Sequence, residues 1–146
     1  MLNKIMLTGN VGRAPKIWLT PDRREIATFP LAASKSWKDD FGKWQTYTDW
    51  HKITVFRESI VKWMKTSLNK GDKVYLEGKL TYHSWKDVHN QTRLTAYIVI
   101  SGQHGCLEYL RSPKSREQEE ETLEISAPSL ESVDKTSQSI FLTSLK

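Results

Sequence analysis

The chain has 146 residues, 22 Lys+Arg against 17 Asp+Glu, one Cys and six Trp. That length suits one domain with an extension, since domains commonly run ~100–150 residues. No run approaches the ~20 apolar residues of a membrane-spanning helix, the single Cys106 excludes a disulfide framework, and the clustered ligands of a cysteine-rich zinc site are missing. Met1-Leu2-Asn3-Lys4 lacks the apolar stretch of a secretory signal, so a reducing, cytosolic setting is the default expectation.

Charge is unevenly spread. Residues 1–110 carry 17 Lys+Arg and 10 Asp+Glu, net +7; residues 111–146 carry 5 and 7, net −2. Every aromatic except Phe141 lies before residue 111, and the segment after Arg111-Ser112-Pro113 is rich in Ser, Glu and Thr, with an acidic cluster from Glu117 to Glu121. Such a segment buries too little apolar surface to offset its ordering entropy. The expected organisation is a folded basic domain over 1–110 and a mostly disordered acidic tail over 111–146, a short helix around 116–125 being the alternative.

In chain order, residues 3–10 alternate, with Ile5 and Leu7 on one side and Lys4, Met6 and Thr8 on the other. This predicts a half-buried strand that residues 15–19 extend. Pro21-Asp22 marks a turn. Residues 25–34 read as a second strand; Pro30 cannot donate to a ladder, so this strand is expected to be an edge or to carry a bulge there. Residues 35–46, polar and aromatic with Gly42, read as a long loop. Residues 47–57 read as a third strand, Ile53 and Val55 on one parity and Trp50, Lys52, Thr54 and Phe56 on the other. Ser59 is placed to cap a helix over 60–69, where Ile60, Val61, Met64 and Leu68 form one apolar stripe, and Gly71 is placed to end it. In residues 73–85, Val74, Leu76, Leu80 and Tyr82 face one way and Tyr75, Glu77, Lys79, Thr81, His83 and Trp85 the other. Residues 93–103 form a final strand with Leu94, Ala96, Ile98 and Ile100 inward. Three strands, one helix and two strands is the order of an OB-fold. The expected class is therefore mainly β, a five-stranded Greek-key barrel with one helix between strands three and four and a disordered C-terminal tail.

The face opposite the predicted core carries Trp50, Lys52 and Phe56 from the third strand and Lys79, His83 and Trp85 from the fourth; Lys35-Ser36-Trp37-Lys38 and Lys43-Trp44 repeat the pattern. Exposed aromatics separated by lysine suit a single-stranded nucleic acid, whose unpaired bases stack for roughly 1–3 kcal/mol each. Each cation neutralises a phosphate and releases a counterion.

These residues stand in a wider pattern: Leu2-Asn3-Lys4-Ile5, Thr8-Gly9-Asn10-Val11-Gly12 with Pro15, Ser34-Lys35-Ser36-Trp37, Thr48-Asp49-Trp50-His51-Lys52, Val55-Phe56, the stretch from Lys70-Gly71-Asp72 through Gly78-Lys79-Leu80, and Trp85-Lys86-Asp87. From Leu2 to about Tyr109 the chain resembles the bacterial and mitochondrial single-stranded DNA-binding protein family. The resemblance implies an OB-fold homotetramer in the bacterial cytoplasm, associated with the nucleoid, that binds single-stranded DNA without sequence specificity and protects it in replication, recombination and repair. It places Trp37, Trp50, Phe56 and Trp85 on the stacking aromatics; beside them, Lys52, Lys79, Lys35, Lys38, Lys43 and Arg57 are read from the residues themselves as the electrostatic track. Three features depart from the family pattern. His83-Ser84 stands where a cation usually precedes the fourth aromatic. Pro30 interrupts a strand. The ending Ser139-Ile140-Phe141-Leu142-Thr143-Ser144-Leu145-Lys146 replaces the acidic Pro-Phe tip that recruits replication and repair proteins.

Other constellations are weaker. His51 is read as structural, His104-Gly105-Cys106 as too short for a metal site, and Asp39-Asp40 as solvated loop residues. Gly9-Asn10-Val11-Gly12 lacks the Gly-Lys-Ser/Thr of a phosphate loop. No catalytic residue, metal or cofactor is expected, and the chain is read as a binding protein rather than an enzyme. The alternatives are an OB-fold RNA-binding module and a replication-assembly factor acting mainly through protein contacts.

Overall fold

The computed structural model describes residues 1–103 and 105–113; the readings made for His104 and for the tail beyond residue 113 lie outside the described residues. Its elements are β1 (Ile5–Val11), β2 (Lys16–Leu19), β3 (Glu25–Lys38), β4 (Trp44–Val55), α1 (Glu58–Ser67), β5 (Lys73–Lys86), β6 (Thr92–Ile100) and β7 (Cys106–Arg111).

Seven segments among the described residues make a five-strand barrel because two of them continue their predecessors. β1 pairs β3 at Asn10–Ala32 and Val11–Leu31, and β2 pairs β3 from Lys16–Thr28 to Leu19–Glu25, so β2 prolongs β1 along one edge of β3. β7 likewise prolongs β6 along one edge of β5, after the 101–105 connection. The ring β1–β3–β4–β6–β5 closes through β1 and β5, with β4 and β6 the one parallel pair in it. The predicted extension of the first strand is thus present as β2, whereas β7, C-terminal to the last predicted strand, is an addition.

Pro30 sits in an interior strand, not at an edge. It lies opposite Lys52 in an unbroken β3–β4 ladder. Its carbonyl, on the opposite side, accepts from Gly12 N–H at 2.8 Å. In a strand the N–H and C=O of one residue point the same way. The missing donor therefore faces the 12–15 bend between β1 and β2, where the ladder is already interrupted.

The inner parity packs Val11, Ala27, Phe29, Leu31, Ile53, Val55, Val74, Leu76, Ile98 and Ile100 with Val61, Met64 and Leu68 from the helix side. Lys65 Nζ lies 2.7 Å from Glu25 Oε1 and ties α1 to the start of β3. The helix begins earlier than its capping signal suggests. Arg57 is the N-cap without a side-chain bond, Ser59 lies in the first turn, and Glu58 there suits the helix dipole. Leu68 in extended conformation ends it. Gly71, at φ +91°, serves the following turn instead, where its N–H donates to Val11 O at 2.7 Å.

Three inward assignments are overturned: Tyr82, Leu94 and Ala96 are exposed. The barrel ends at Leu80 and Ile98, while β5 and β6 continue as a hairpin past it, to Lys86 opposite Thr92. The predicted loop over 35–46 is overturned in the same way: β3 runs on to Lys38 and β4 starts at Trp44, leaving only 39–43 as the turn. This ribbon shows no apolar alternation because it has no core to face. Hydroxyl pairs hold it, Ser34 with Thr48 at 2.8 Å and Ser36 with Thr46 at 3.0 Å.

The two long hairpins turn by the same device, and Asp39 is part of it rather than a solvated loop residue. Asp39 Oδ1 accepts from the N–H of Phe41 and Lys43, and Oδ2 from Gln45 Nε2. Asp87 Oδ1 accepts from His89 and Gln91 N–H, and Oδ2 from Arg93 Nε. The fourth residue of each turn is left-handed, Gly42 at φ 75° and Asn90 at φ 58°. Asn tolerates this conformation better than most residues.

Two outcomes test this architecture. Replacing fully buried Leu31 by Ala costs about 2–5 kcal/mol in urea unfolding. Leu94→Ala, beyond the barrel, costs less than about 0.5 kcal/mol; equal losses would return Leu94 to the core.

Stability also depends on pH at both ends. The Asp39 carboxyl is held low chiefly by Gln45, and that of Asp87 chiefly by the Gln91 N–H and Arg93. Each contributes stability that is complete above the unfolded carboxylate range and is lost as pH falls through its folded value. Tyr75 donates to Glu77 Oε1 at 2.5 Å, which pushes its pKa up from 10.0 to about 12. Its contribution is complete below the unfolded value and is lost as pH rises through the folded one. Thermal melts across pH should therefore show an alkaline decline that Tyr75→Phe reduces and an acid decline that Asp87→Ala reduces.

Candidate nucleic-acid interface

Pairing register fixes which side chains share the outer surface of the barrel. On β4 they are Trp50, Lys52 and Thr54, and Phe56 ends the row, its N–H still bonded to Ile100 O at 2.9 Å. On β5 they are Lys79, Thr81, His83 and Trp85, and on β6 Val99, Tyr97, Thr95 and Arg93 opposite them. Lys52 Nζ stands 5.6 Å from the centre of the Tyr97 ring, so the β4 and β6 rows meet on this surface. Tyr97 and Arg93 were not singled out in the sequence, although the parity that turns Ile98 inward turns both outward.

The aromatics are exposed yet held. Trp50 is 63% exposed, and its ring lies over Gly12, where an added Cβ would come within 2.4 Å of Trp50 Cζ3. Trp85, 46% exposed, donates its indole N–H to Thr95 Oγ1 at 2.9 Å, a diagonal neighbour across the β5–β6 pair. An indole anchored by one edge keeps a defined orientation while leaving ring surface to solvent.

The β3–β4 ribbon beyond the barrel is two strands wide, and its faces divide the remaining candidates. Lys38 and Trp44 pair directly and continue the Trp50 parity, Lys38 Nζ lying 5.4 Å from the Trp44 ring centre. Trp37, 42% exposed, and Lys35 lie on the opposite parity, with Tyr47 across from Lys35. The structure therefore brings Trp50, Lys52, Lys79 and Trp85 onto one surface and puts Trp37 and Lys35 on the ribbon's other face. Lys43 is at the ribbon tip. Arg57 stands at the helix end of the β4 row, its guanidinium donating to Gly105 O at 3.1 Å.

The charges are free to act. Among the described residues, none of Lys35, Lys38, Lys43, Lys52 and Lys79 forms an ion pair, whereas Arg93 is engaged by Asp87 at 2.8 Å and Lys4 by Glu77 at 2.6 Å. Trp63, on the flank of the helix stripe, packs against the core and meets Tyr109 edge-on at 6.4 Å, a structural placement. Among the described residues no helix is long and apolar enough to cross a membrane.

Comparison with known proteins gives the family. The family model described as the single-strand binding protein family matches residues 2–104. The chain is 36% identical over 110 residues to a single-stranded DNA-binding protein of Rhizobium meliloti (strain 1021), a match covering 75% of this chain and 63% of that protein. Against a single-stranded DNA-binding protein of Rickettsia felis it is 35% identical over 115 residues, covering 78% and 76%. The chain thus spans just under two thirds of the Rhizobium relative's length and about three quarters of the Rickettsia one's. In structure it resembles a chain of a Plasmodium falciparum SSB complex with ssDNA, with a TM-score of 0.69 and 36% identity, over 75% of this chain and 96% of that one. By sequence and by fold, this chain belongs to the single-strand binding protein family.

Proposed function

We propose that the protein binds single-stranded DNA without reading its sequence and shields it during replication, recombination and repair. The observation that carries this reading is the outer surface itself: Trp50 and Trp85, exposed and anchored, share one face with Lys52 and Lys79, cations without an ion-pair partner among the described residues. An indole face accepts any unpaired base, and a lysine meets any phosphate, so nothing in this pairing selects a sequence. A duplex offers its phosphates but keeps its bases stacked on each other, so it engages only half of the surface. Trp37, Phe56, Lys35, Lys38, Lys43 and Arg57 extend the path. The β3–β4 ribbon is narrow enough for a flexible strand to pass from its Trp44 face to its Trp37 face. The proposed role is that of a binding protein with no reaction of its own.

Titration with matched single-stranded DNA, single-stranded RNA and duplex DNA tests the proposal. Single-stranded DNA should bind tightest and quench tryptophan fluorescence. Trp50→Ala and Trp85→Ala should each weaken binding by roughly 1–3 kcal/mol, about 5- to 150-fold. Lys52→Gln should make the salt slope shallower by about 0.7. Equal affinity for duplex would defeat the proposal, and preference for RNA would make the chain an RNA-binding OB module.

The same reading includes assembly as a homotetramer, as in the family it resembles, with replication and repair proteins as further partners. Light scattering should return four times the 16.9 kDa chain mass; a monomer at micromolar concentration would remove the tetramer from the proposal.

A further inference from the structure

Trp18 belongs to none of the positions described above as stacking aromatics, yet it is 52% exposed and fixed on the same outer surface. Its indole N–H donates to Thr28 Oγ1 at 3.0 Å. Trp18 pairs Ile26, so Thr28 is its diagonal neighbour across β2 and β3. Trp85 and Thr95 repeat this relation, Trp85 pairing Arg93 two residues before the accepting Thr. One barrel thus carries two tryptophans pinned by one device on one surface.

Between Trp18 and Tyr97 lies an open groove of about 630 Å³, lined also by Arg13, Lys16, Thr28 and Lys52. Among the described residues its lining has three cations and no carboxylate. The cations have no ion-pair partner among the described residues. A groove that holds two aromatic rings and three cations in its lining matches a flat, apolar base joined to an anionic backbone. It does not match an acidic peptide, which would leave the rings without a planar partner.

We infer that this groove is a further nucleotide subsite, in which Trp18 and Tyr97 stack bases while Lys16 and Arg13 meet the phosphates. It rests on the proposed binding of single-stranded DNA and lengthens its path from β5 and β4 across β3 to β2. Lys52, above the Tyr97 ring, stands where the subsite joins the Trp50 row. The subsite depends on residues that a search for the family's stacking aromatics passes over.

The test uses the full chain and long oligo-dT. In protein labelled with 5-fluorotryptophan, the Trp18 resonance, assigned by its loss in Trp18→Phe, should shift when the strand is added. Trp18→Ala and Tyr97→Ala should each lower affinity roughly ten-fold and shorten the stretch occluded per protomer. Trp18→Phe should recover most of the affinity, which a loss of folding in Trp18→Ala would not predict. Lys16→Gln should make the salt slope shallower by about 0.7. A Trp18 resonance unmoved by bound strand, or variants that bind and occlude like the parent, would overturn the subsite while leaving the wider proposal standing. Failure of the unsubstituted chain to bind oligo-dT at all would instead remove the proposal on which the subsite rests.

Discussion

Six consecutive residue pairs between β1 and β5, from Ile5 opposite Gly78 to Asn10 opposite Lys73, close the sheet on itself. Until that seam forms, the two parities of each strand are equivalent surfaces of an open sheet. Once it forms, one parity is enclosed and the other is not. Val74, Leu76, Ile53 and Ile98 go inside, and Trp50, Lys52, Lys79 and Tyr97 are turned out together. At Gly78 the seam runs close against β6, since an added Cβ there would come within 2.7 Å of Val99 O. Just past it, the Asn3 side chain takes over the pairing, donating to Leu80 O and accepting from Leu80 N–H. Closure thus satisfies the backbone on both sides of the point where β5 leaves β1.

What the barrel excludes is as important as what it encloses. Its apolar layer ends near Leu80 and Ile98, but the hairpins do not end there. They continue as ribbons held by hydroxyl pairs and by aspartates that staple each turn through several N–H groups. A ribbon of this kind gains little from hydrophobic burial, so its order comes from hydrogen bonds and turn geometry. Its aromatics stay about half exposed, leaving unclaimed part of the roughly 1.5–3 kcal/mol that full burial of a large apolar side chain returns. In the proposed binding mode, a stacked base recovers that burial.

The same boundary explains which parts of the structure were legible in the sequence. Ile53 and Val55, Val74 and Leu76, and the helix stripe of Val61, Met64 and Leu68 were readable because each faces the one core, and burial imprints a period on sequence. The period misled at Tyr82, Leu94 and Ala96, which keep the alternation of their strands after the core has ended. It was silent over 35–46, where neither face of the ribbon has a core to imprint it. Pro30 was readable as a missing donor. Its tolerance in an interior strand was not, because it depends on a bend in a neighbouring strand.

The candidate site divides along similar lines. That Trp50, Lys52, Lys79 and Trp85 would be exposed followed from parity within single strands. That Tyr97 meets Lys52, that Trp18 shares their surface through Thr28, and that Trp37 faces away from Trp50 followed only from register between strands. The sequence by itself determined the strand parities, the helix stripe, the basic barrel and the family. The tertiary structure alone decided where the core stops, which rows lie side by side, and which rings are held in place. The reason is physical: periodicity records only whether a residue faces a core, whereas adjacency is set by hydrogen-bonded pairing between segments far apart in the chain.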